Sequence, residues 1–424
     1  MTRLILLLCL LFAPVPGSAA TIDAAERALR DGQTDRALTM AETYQPADHA
    51  EAQRRLWVIG VGYNRQGRPR AAIAPLNALV AADPANVAYR LELAFALRRA
   101  GQDERARYHL DLTRGADLPP QLDARVQAEI DDIDRSRSWQ GYVRFALVPE
   151  SNAARRTAAE TINLGGLRFR LLPNAREQSA TGAELGFGIS ALPKLSDNLR
   201  ARIGVDVFAR VFDGNIPDDK ILRGSAGLLH LGDQGRQITA DVFATRRWLD
   251  DQLYSDSQGI DLRFSRVFAG KVNALGSLTQ ERITYDRPFY TVDRTAASMQ
   301  LVHATTAQLQ LRAILRAETR DSRNALAAGQ AYGVSIGAQY IFAGGLRASL
   351  LLSQDHDSFD GVHPLFGVRR KDEKRAATLF LTNQNWSFRG FAPVLKLGIE
   401  DQKSTVVLNS FRNTTASLSL TRSF

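Results

Sequence analysis

The run most suggestive of chemistry is GVSIG at 333–337, the Gly-x-Ser-x-Gly spacing that in hydrolases lifts a serine nucleophile onto a sharp turn. That activation needs a strand to end at the serine and a helix to begin there. Ser335 instead stands inside an alternating run that continues to Phe342, so its glycines read as a smooth sheet face. GFGISA at 186–191 has the glycine spacing of a dinucleotide fingerprint, but neither a helix nor the required acidic residue follows it. The six histidines form no HExxH and no paired spacing with carboxylates. His356 and His363 fall in a predicted outer loop with Asp355, Asp357 and Asp360, a composition that fits a solvated loop better than a divalent site. RRKDEKR at 369–375 reads as a charged loop base, with a lipopolysaccharide phosphate as its conceivable contact. Cys9, the sole cysteine, lies in the apolar run Leu4–Phe12, which excludes a disulfide framework or a thiolate centre in the mature chain. The expectation is a protein that is not an enzyme, with no metal, no cofactor and no nucleic acid partner.

The elements that carry these residues divide the chain in two. Residues 1–20 combine Arg3, a short apolar run, and small residues at Ser18 and Ala20, the pattern of a cleaved signal peptide. Residues 1–138 hold 18 basic and 18 acidic side chains, so the net charge of +9 comes entirely from the remainder. No later stretch approaches the ~18 apolar residues of a spanning helix. A membrane role must therefore come from strands.

Residues 21–137 are expected to form an all-α periplasmic domain. RDGQTDRA at 30–37, RQGRPRAA at 65–72 and RAGQDERA at 99–106 repeat around Gly32, Gly67 and Gly101, a period resembling the tetratricopeptide helix-turn-helix. Three hairpins and a capping helix from Pro120 to Arg135 would stack into a solenoid, since no single pair covers its own apolar face. On the repeat's register Trp57, Val61, Asn64, Phe95 and Arg98 face a groove for a polypeptide client. The same spacing suits ordinary core residues, and helical periodicity alone does not separate the two.

From 138 to 424 the period changes to two. RIGVDVFARVF at 202–212 alternates an apolar row with a mostly polar one, and about fourteen such segments follow one another from 139 to 424. Most are ten residues or longer, as strands that cross a bilayer require, and short turns alternate with long polar loops. The expected fold is α+β multidomain: a tetratricopeptide solenoid, then a transmembrane antiparallel β-barrel. With the apolar row toward lipid, Arg202, Arg210, Arg263, Arg312, Arg316 and Lys396 turn inward, lining either a wet passage or a wall braced by ion pairs. The last strand would pair with the first, and Phe424 would serve as the terminal signal read by the barrel assembly machinery.

Four stretches carry a family resemblance: WQGYVRFALVPESNA at 139–153, FGVRRKDEKR at 366–375, NWSFRGFAPVLKLG at 385–398 and SFRNTTASLSLTRSF at 410–424. With the preceding helices, they make the chain similar to the surface lipoprotein assembly modulators (Slam), the type XI secretion translocons of Gram-negative outer membranes. The resemblance implies a fourteen-stranded barrel that helps a client, a surface lipoprotein or a secreted haem- or metal-scavenging protein, across the outer membrane. It further implies that the periplasmic repeats handle that client. The competing reading is a passive porin or uptake channel with a docking domain.

Overall fold

The computed structural model describes residues 21–424 apart from 287–289, 384, 385, 389 and 424. The leader at 1–20 with Cys9, and the terminal Phe424, therefore lie outside the described residues.

Seven helices come first: α1 (Ile22–Arg30), α2 (Thr34–Thr43), α3 (His49–Arg65), α4 (Pro69–Ala82), α5 (Val87–Arg99), α6 (Asp103–Thr113) and α7 (Pro120–Ser136). Thr21, Asp48 and Asn86 cap α1, α3 and α5 by accepting a backbone N–H with their side chains. The repeated glycines do one job three times. Gly32, Gly67 and Gly101 all adopt φ between 71° and 78°, the left-handed conformation that ends a helix at little cost only in glycine. Each is followed by the same bond, from Gln33, Arg68 or Gln102 N–H back to the carbonyl of Ala28, Tyr63 or Leu97. Gly60 lets α3 approach α4, since a Cβ there would lie 2.7 Å from Leu76.

The sheet begins at β1 (Trp139–Glu150), followed by a small hairpin, β2 (Thr161–Leu164) and β3 (Leu167–Arg170). Then come β4 (Ala180–Ala191), β5 (Leu199–Phe212), β6 (Asp219–Leu231), β7 (Gln237–Leu249), β8 (Gln252–Phe268), β9 (Val272–Tyr285) and β10 (Thr291–Ala304). The last six are β11 (Leu309–Asp321), β12 (Gly329–Ile341), β13 (Leu346–Val362), β14 (Arg369–Asn383), β15 (Ala392–Ser404) and β16 (Phe411–Ser423). β1 and β4 to β16 form one closed antiparallel barrel of fourteen strands, with β16 paired to β1. Closure follows from chemistry: backbone N–H and C=O groups facing hydrocarbon have no water to bond, so every strand needs two neighbours.

Alternation sets the two faces. On β5, Ile203, Val205 and Val211 are exposed on the outside, whereas Arg202 and Gly204 are buried on the inside. The same outward row recurs in Ile260, Leu262 and Phe264, in Leu350 and Leu352, and in Leu418 and Leu420. These apolar side chains cover no protein core, which fits a lipid-facing belt.

One side chain in the helices should make folding sensitive to acid. His109 on α6 is buried, and burial, reinforced by Arg90 and Arg105, pushes its imidazole down to about 3. The unfolded chain, with an ordinary pKa of ~6.5, takes up this proton first as pH falls. The stability tied to neutral His109 is thus complete above ~pH 6.5 and is lost progressively toward pH 3, by about 1.4 kcal/mol per pH unit. Thermal melts followed at 222 nm between pH 7 and 4 should fall less steeply for His109→Leu than for the unaltered protein; equal slopes would refute this assignment.

Candidate functional site: the barrel lumen and its helix-covered mouth

The continuous register from strand to strand places Arg202, Arg210, Arg263, Arg312, Arg316 and Lys396 on the inner face, beside inward glycines and carboxylates. Most of the inner arginines are paired. Arg202 bonds Asp241 and the hydroxyls of Ser190 and Ser225. Arg210 and Arg144 share Glu184. Asp261 holds both Arg263, at 2.5 Å, and Arg223, at 3.3 Å. Arg316 meets Asp355 at 2.6 Å, and Arg294 spans Glu281 and Glu318. The wall is therefore braced by charge pairs within and between strands, three of which (Arg202–Asp241, Arg223–Asp261 and Arg316–Asp355) skip a strand, and of the two readings of a basic lumen this one describes most positions. Among the described residues, Arg312 and Lys396 have no ion-pair partner.

RRKDEKR divides by alternation. Arg370, Asp372 and Lys374 face inward, with Arg370 2.5 Å from Asp372, while Lys371, Glu373 and Arg375 face outward. Contrary to the loop expectation, β13 runs on to Val362, so His356 is a strand residue stacked on Tyr332 at 5.0 Å. Its neighbours Asp355 and Asp357 point the other way, to Arg316 and Arg320, and His363 lies beyond the strand end. No metal-holding cluster occurs among the described residues. Ser335 is buried mid-strand in β12 with its hydroxyl unpartnered, so the turn of a nucleophile elbow is not formed. The glycines of GFGISA instead make room for an aromatic ring, because a Cβ on Gly188 would lie 2.4 Å from Tyr142.

Two cavities interrupt the packed lumen. One, of about 200 Å³, is lined by Arg144, Glu150, Arg210, Lys396, Glu400 and Ser417 among others. Arg155 reaches back into it from the loop after β1 to meet Glu400 at 3.0 Å and Glu150 at 3.4 Å. The other, about 490 Å³, lies between β9 and β15 around Arg294, Arg316, Asp355 and Arg370.

The helices dock on the turns at one mouth. Arg135 pairs with Asp233 at 2.7 Å, and its carbonyl accepts from Arg200 at 2.6 Å. Asp131 accepts from Gly235 N–H at 3.1 Å, Asp134 from Gln237 at 2.9 Å, and Asp117 pairs with Lys271 at 2.7 Å. Gly115 abuts the β10–β11 turn so closely that a Cβ would sit 2.1 Å from the Thr306 carbonyl oxygen. Arg347 lies over the Tyr108 ring at 5.3 Å. The helices thus cover the turns from β4–β5 round to β12–β13, an arrangement that no local sequence signal encodes.

The five residues expected to form a client groove are occupied by the domain's own packing. Trp57 stacks against Tyr89 at 5.3 Å, and Val61 is buried in the core of the first helices. The Asn64 amide donates to the backbone and carboxylate of Glu92. Arg125 of α7 lies over Phe95 at 4.9 Å, and Arg98 pairs with Asp103 and with Asp132 of α7. The capping helix therefore closes the groove where Phe95 and Arg98 would have opened it.

Fold and lumen together define a closed, outwardly apolar barrel of the outer-membrane type, with a helical domain docked on one mouth. Residues 139–424 match the family described as surface lipoprotein assembly modifier, and the chain belongs to it. It is 26% identical over 381 residues to surface lipoprotein assembly modifier 1 of Neisseria meningitidis serogroup B, covering 87% of this chain and 75% of that protein. Among solved structures, it is similar to the outer membrane channel DcaP of Acinetobacter baumannii, at TM-score 0.40 and 9% identity, over 68% of this chain and 96% of that one. The anion-selective porin of Comamonas acidovorans gives 0.39 and 11%, over 68% and 98%.

Two substitutions separate bracing from docking. Asp241→Ala leaves Arg202 buried without its carboxylate and should destabilise the barrel by about 3 kcal/mol, read as a lower urea midpoint in detergent; no change would mean that the pair braces nothing. Gly115→Val should instead leave the barrel's midpoint unaltered and expose α7 to protease. Unchanged protection would contradict the docking.

Proposed function

We propose that the chain exports or displays a client lipoprotein at the cell surface, with the helical domain on the periplasmic side. The observation that carries this reading is the docking of a helical domain across one mouth of a barrel whose sequence matches the surface lipoprotein assembly modifier family. The longest connection, residues 151–179, lies at the opposite mouth, and the longer loops of barrels of this type face the exterior, so the helices would meet a client before the lumen does. A passive channel, the competing reading, has no need of such a cover.

In this scheme the protein performs no bond chemistry. It supplies a polar conduit through hydrocarbon, and the inner charge pairs can exchange partners with a polar polypeptide at modest cost, because each broken pair is replaced by a new one. Arg312 and Lys396, which have no carboxylate to release, are the inner cations readiest to meet acidic client segments.

Protease shaving of intact cells, with mass spectrometry of the released peptides, tests this whatever the client is. Deleting the gene should remove at least one lipoprotein from the shaved set while its total cellular amount persists, and re-expression should restore it. An identical shaved set in both strains would refute the export reading.

A further inference from the structure

The ladder that closes the barrel is unlike its neighbours. Along one edge, β1 pairs with β4 without a break from Trp139–Ala191 to Glu150–Ala180. Along the other, its pairing with β16 runs from Tyr142–Ser423 to Leu147–Leu418, skips Val148 and Pro149, and resumes at Glu150–Thr415. Pro149 has no backbone N–H to contribute, and proline within a sheet is otherwise confined to edges. Among the described residues no ion pair joins β1 directly to β16, although such pairs tie β1 to β4 and β5, and Arg155 from the loop after β1 bridges Glu150 to Glu400 of β15 at the end of the seam.

Hollows lie on both sides of this lapse. Inside, Val148, Glu150, Thr415 and Ser417 form part of the wall of the 200 Å³ cavity. Outside, Pro149, Thr414 and Ala416 bound a hollow of about 680 Å³ at the loop-end rim of the wall, completed by Ser151, Ser179 and Asp213. Alternate residues of two short segments thus line both spaces, and one backbone thickness divides them. Ser417 is buried with its hydroxyl unpartnered, and so is one carboxylate oxygen of Glu150, polar atoms aimed at the same thin place. The inner row of β16 (Asn413, Thr415, Ser417, Ser419) is small and polar, so no bulky side chain locks across the seam.

Above the lapse the closure is a set of hydrogen bonds. Ser151 N–H donates to the Thr414 carbonyl at 2.9 Å, and Thr414 N–H to the Ser151 hydroxyl at 2.8 Å. Asn152 N–H donates to the Asn413 side chain at 2.9 Å. Bonds of this kind reform after opening.

From these observations we infer that the β1–β16 seam is a lateral passage for the acyl chains of a lipid-anchored polypeptide. The inference rests on the export reading. The polar, charge-lined lumen suits a polypeptide, but hydrocarbon is strongly disfavoured there and stays in the bilayer. A molecule with one part in each environment must straddle the wall, and the wall is thinnest and least bonded at Val148–Glu150 against Thr414–Ser417. The polypeptide then occupies the inner cavity while its acyl chains stay against the apolar outer row of the seam, Leu147 and Leu418.

The test uses a triacylated lipopeptide, three palmitoyl chains on an N-terminal Cys-Ser-Lys₄ peptide, in two forms: one with a photoactivatable diazirine on a lysine side chain, the other with the diazirine in an acyl chain. It is incorporated with the protein into phosphatidylethanolamine–phosphatidylglycerol bilayers. Ala146→Cys with Ser419→Cys places thiols on facing inner positions of the seam. Ser277→Cys with Ser298→Cys does the same across β9–β10, where the native hydroxyls are 2.8 Å apart. In the reduced protein the lysine-borne diazirine should label the inward-facing Val148 and Ser417, read by mass spectrometry. Oxidising the seam pair should cut that labelling at least tenfold while the acyl-borne diazirine still labels outward Leu147 and Leu418; oxidising the β9–β10 pair should leave all labelling intact. Absence of inner labelling, insensitivity to the seam lock, or equal loss with the control lock would each overturn the proposal. Because the probe needs no natural client, a negative result here with normal surface shaving would remove the seam and leave export standing, and the converse would remove export instead.

Discussion

Everything in this protein follows from the cost of leaving a backbone amide unbonded in hydrocarbon. Each of the fourteen long strands must find two partners, so the sheet cannot stop and has to close on itself. An even number of strands returns β16 to the mouth where β1 begins. The helical domain, joined to Trp139 through Arg137 and Ser138 alone, is thereby held beneath that mouth. Its acidic residues Asp117, Asp131 and Asp134 then meet Lys271, Gly235 and Gln237 on successive turns. Topology, not a large apolar interface, brings the two parts together.

Closure also decides where the charge goes. With one row of each strand committed to lipid, the other must take the arginines and carboxylates, and they find one another across strands that are distant in sequence. Such pairs repay their own desolvation at best, so they shape and stiffen the lumen and do not drive folding. The outer belt of Leu, Ile and Val supplies the preference for the membrane. At the seam no ion pair joins β1 directly to β16 among the described residues; hydrogen bonds latch the wall, with Arg155 bridging Glu150 to Glu400 of β15 at its end.

The parts legible in the sequence were those governed by a local period. Strand positions could be read because alternation against lipid is enforced residue by residue, and the helical hairpins because Gly32, Gly67 and Gly101 each require a left-handed turn. Legibility failed where polar residues occupied both faces. β13 outruns the apolar belt, so His356 looked like loop, and the hairpin Thr161–Leu164 with Leu167–Arg170 was too short to show a pattern. The groove residues show a different limit: helical spacing reports which side of a helix is apolar, not whether α7 packs over it. Ion pairing and docking depend on register and on distant turns, and no local signal encodes either.

The central claim is that every second side chain after Trp139 meets hydrocarbon while its neighbour faces water. Spin labels placed singly at positions 202 to 211 on β5, in the protein reconstituted into bilayers, test it directly through collision rates with oxygen and with a water-soluble nickel chelate. The account predicts strict alternation, with oxygen dominating at Ile203, Val205, Val207, Ala209 and Val211 and nickel dominating at the even positions. A uniform profile, or nickel access at the odd positions, would contradict it.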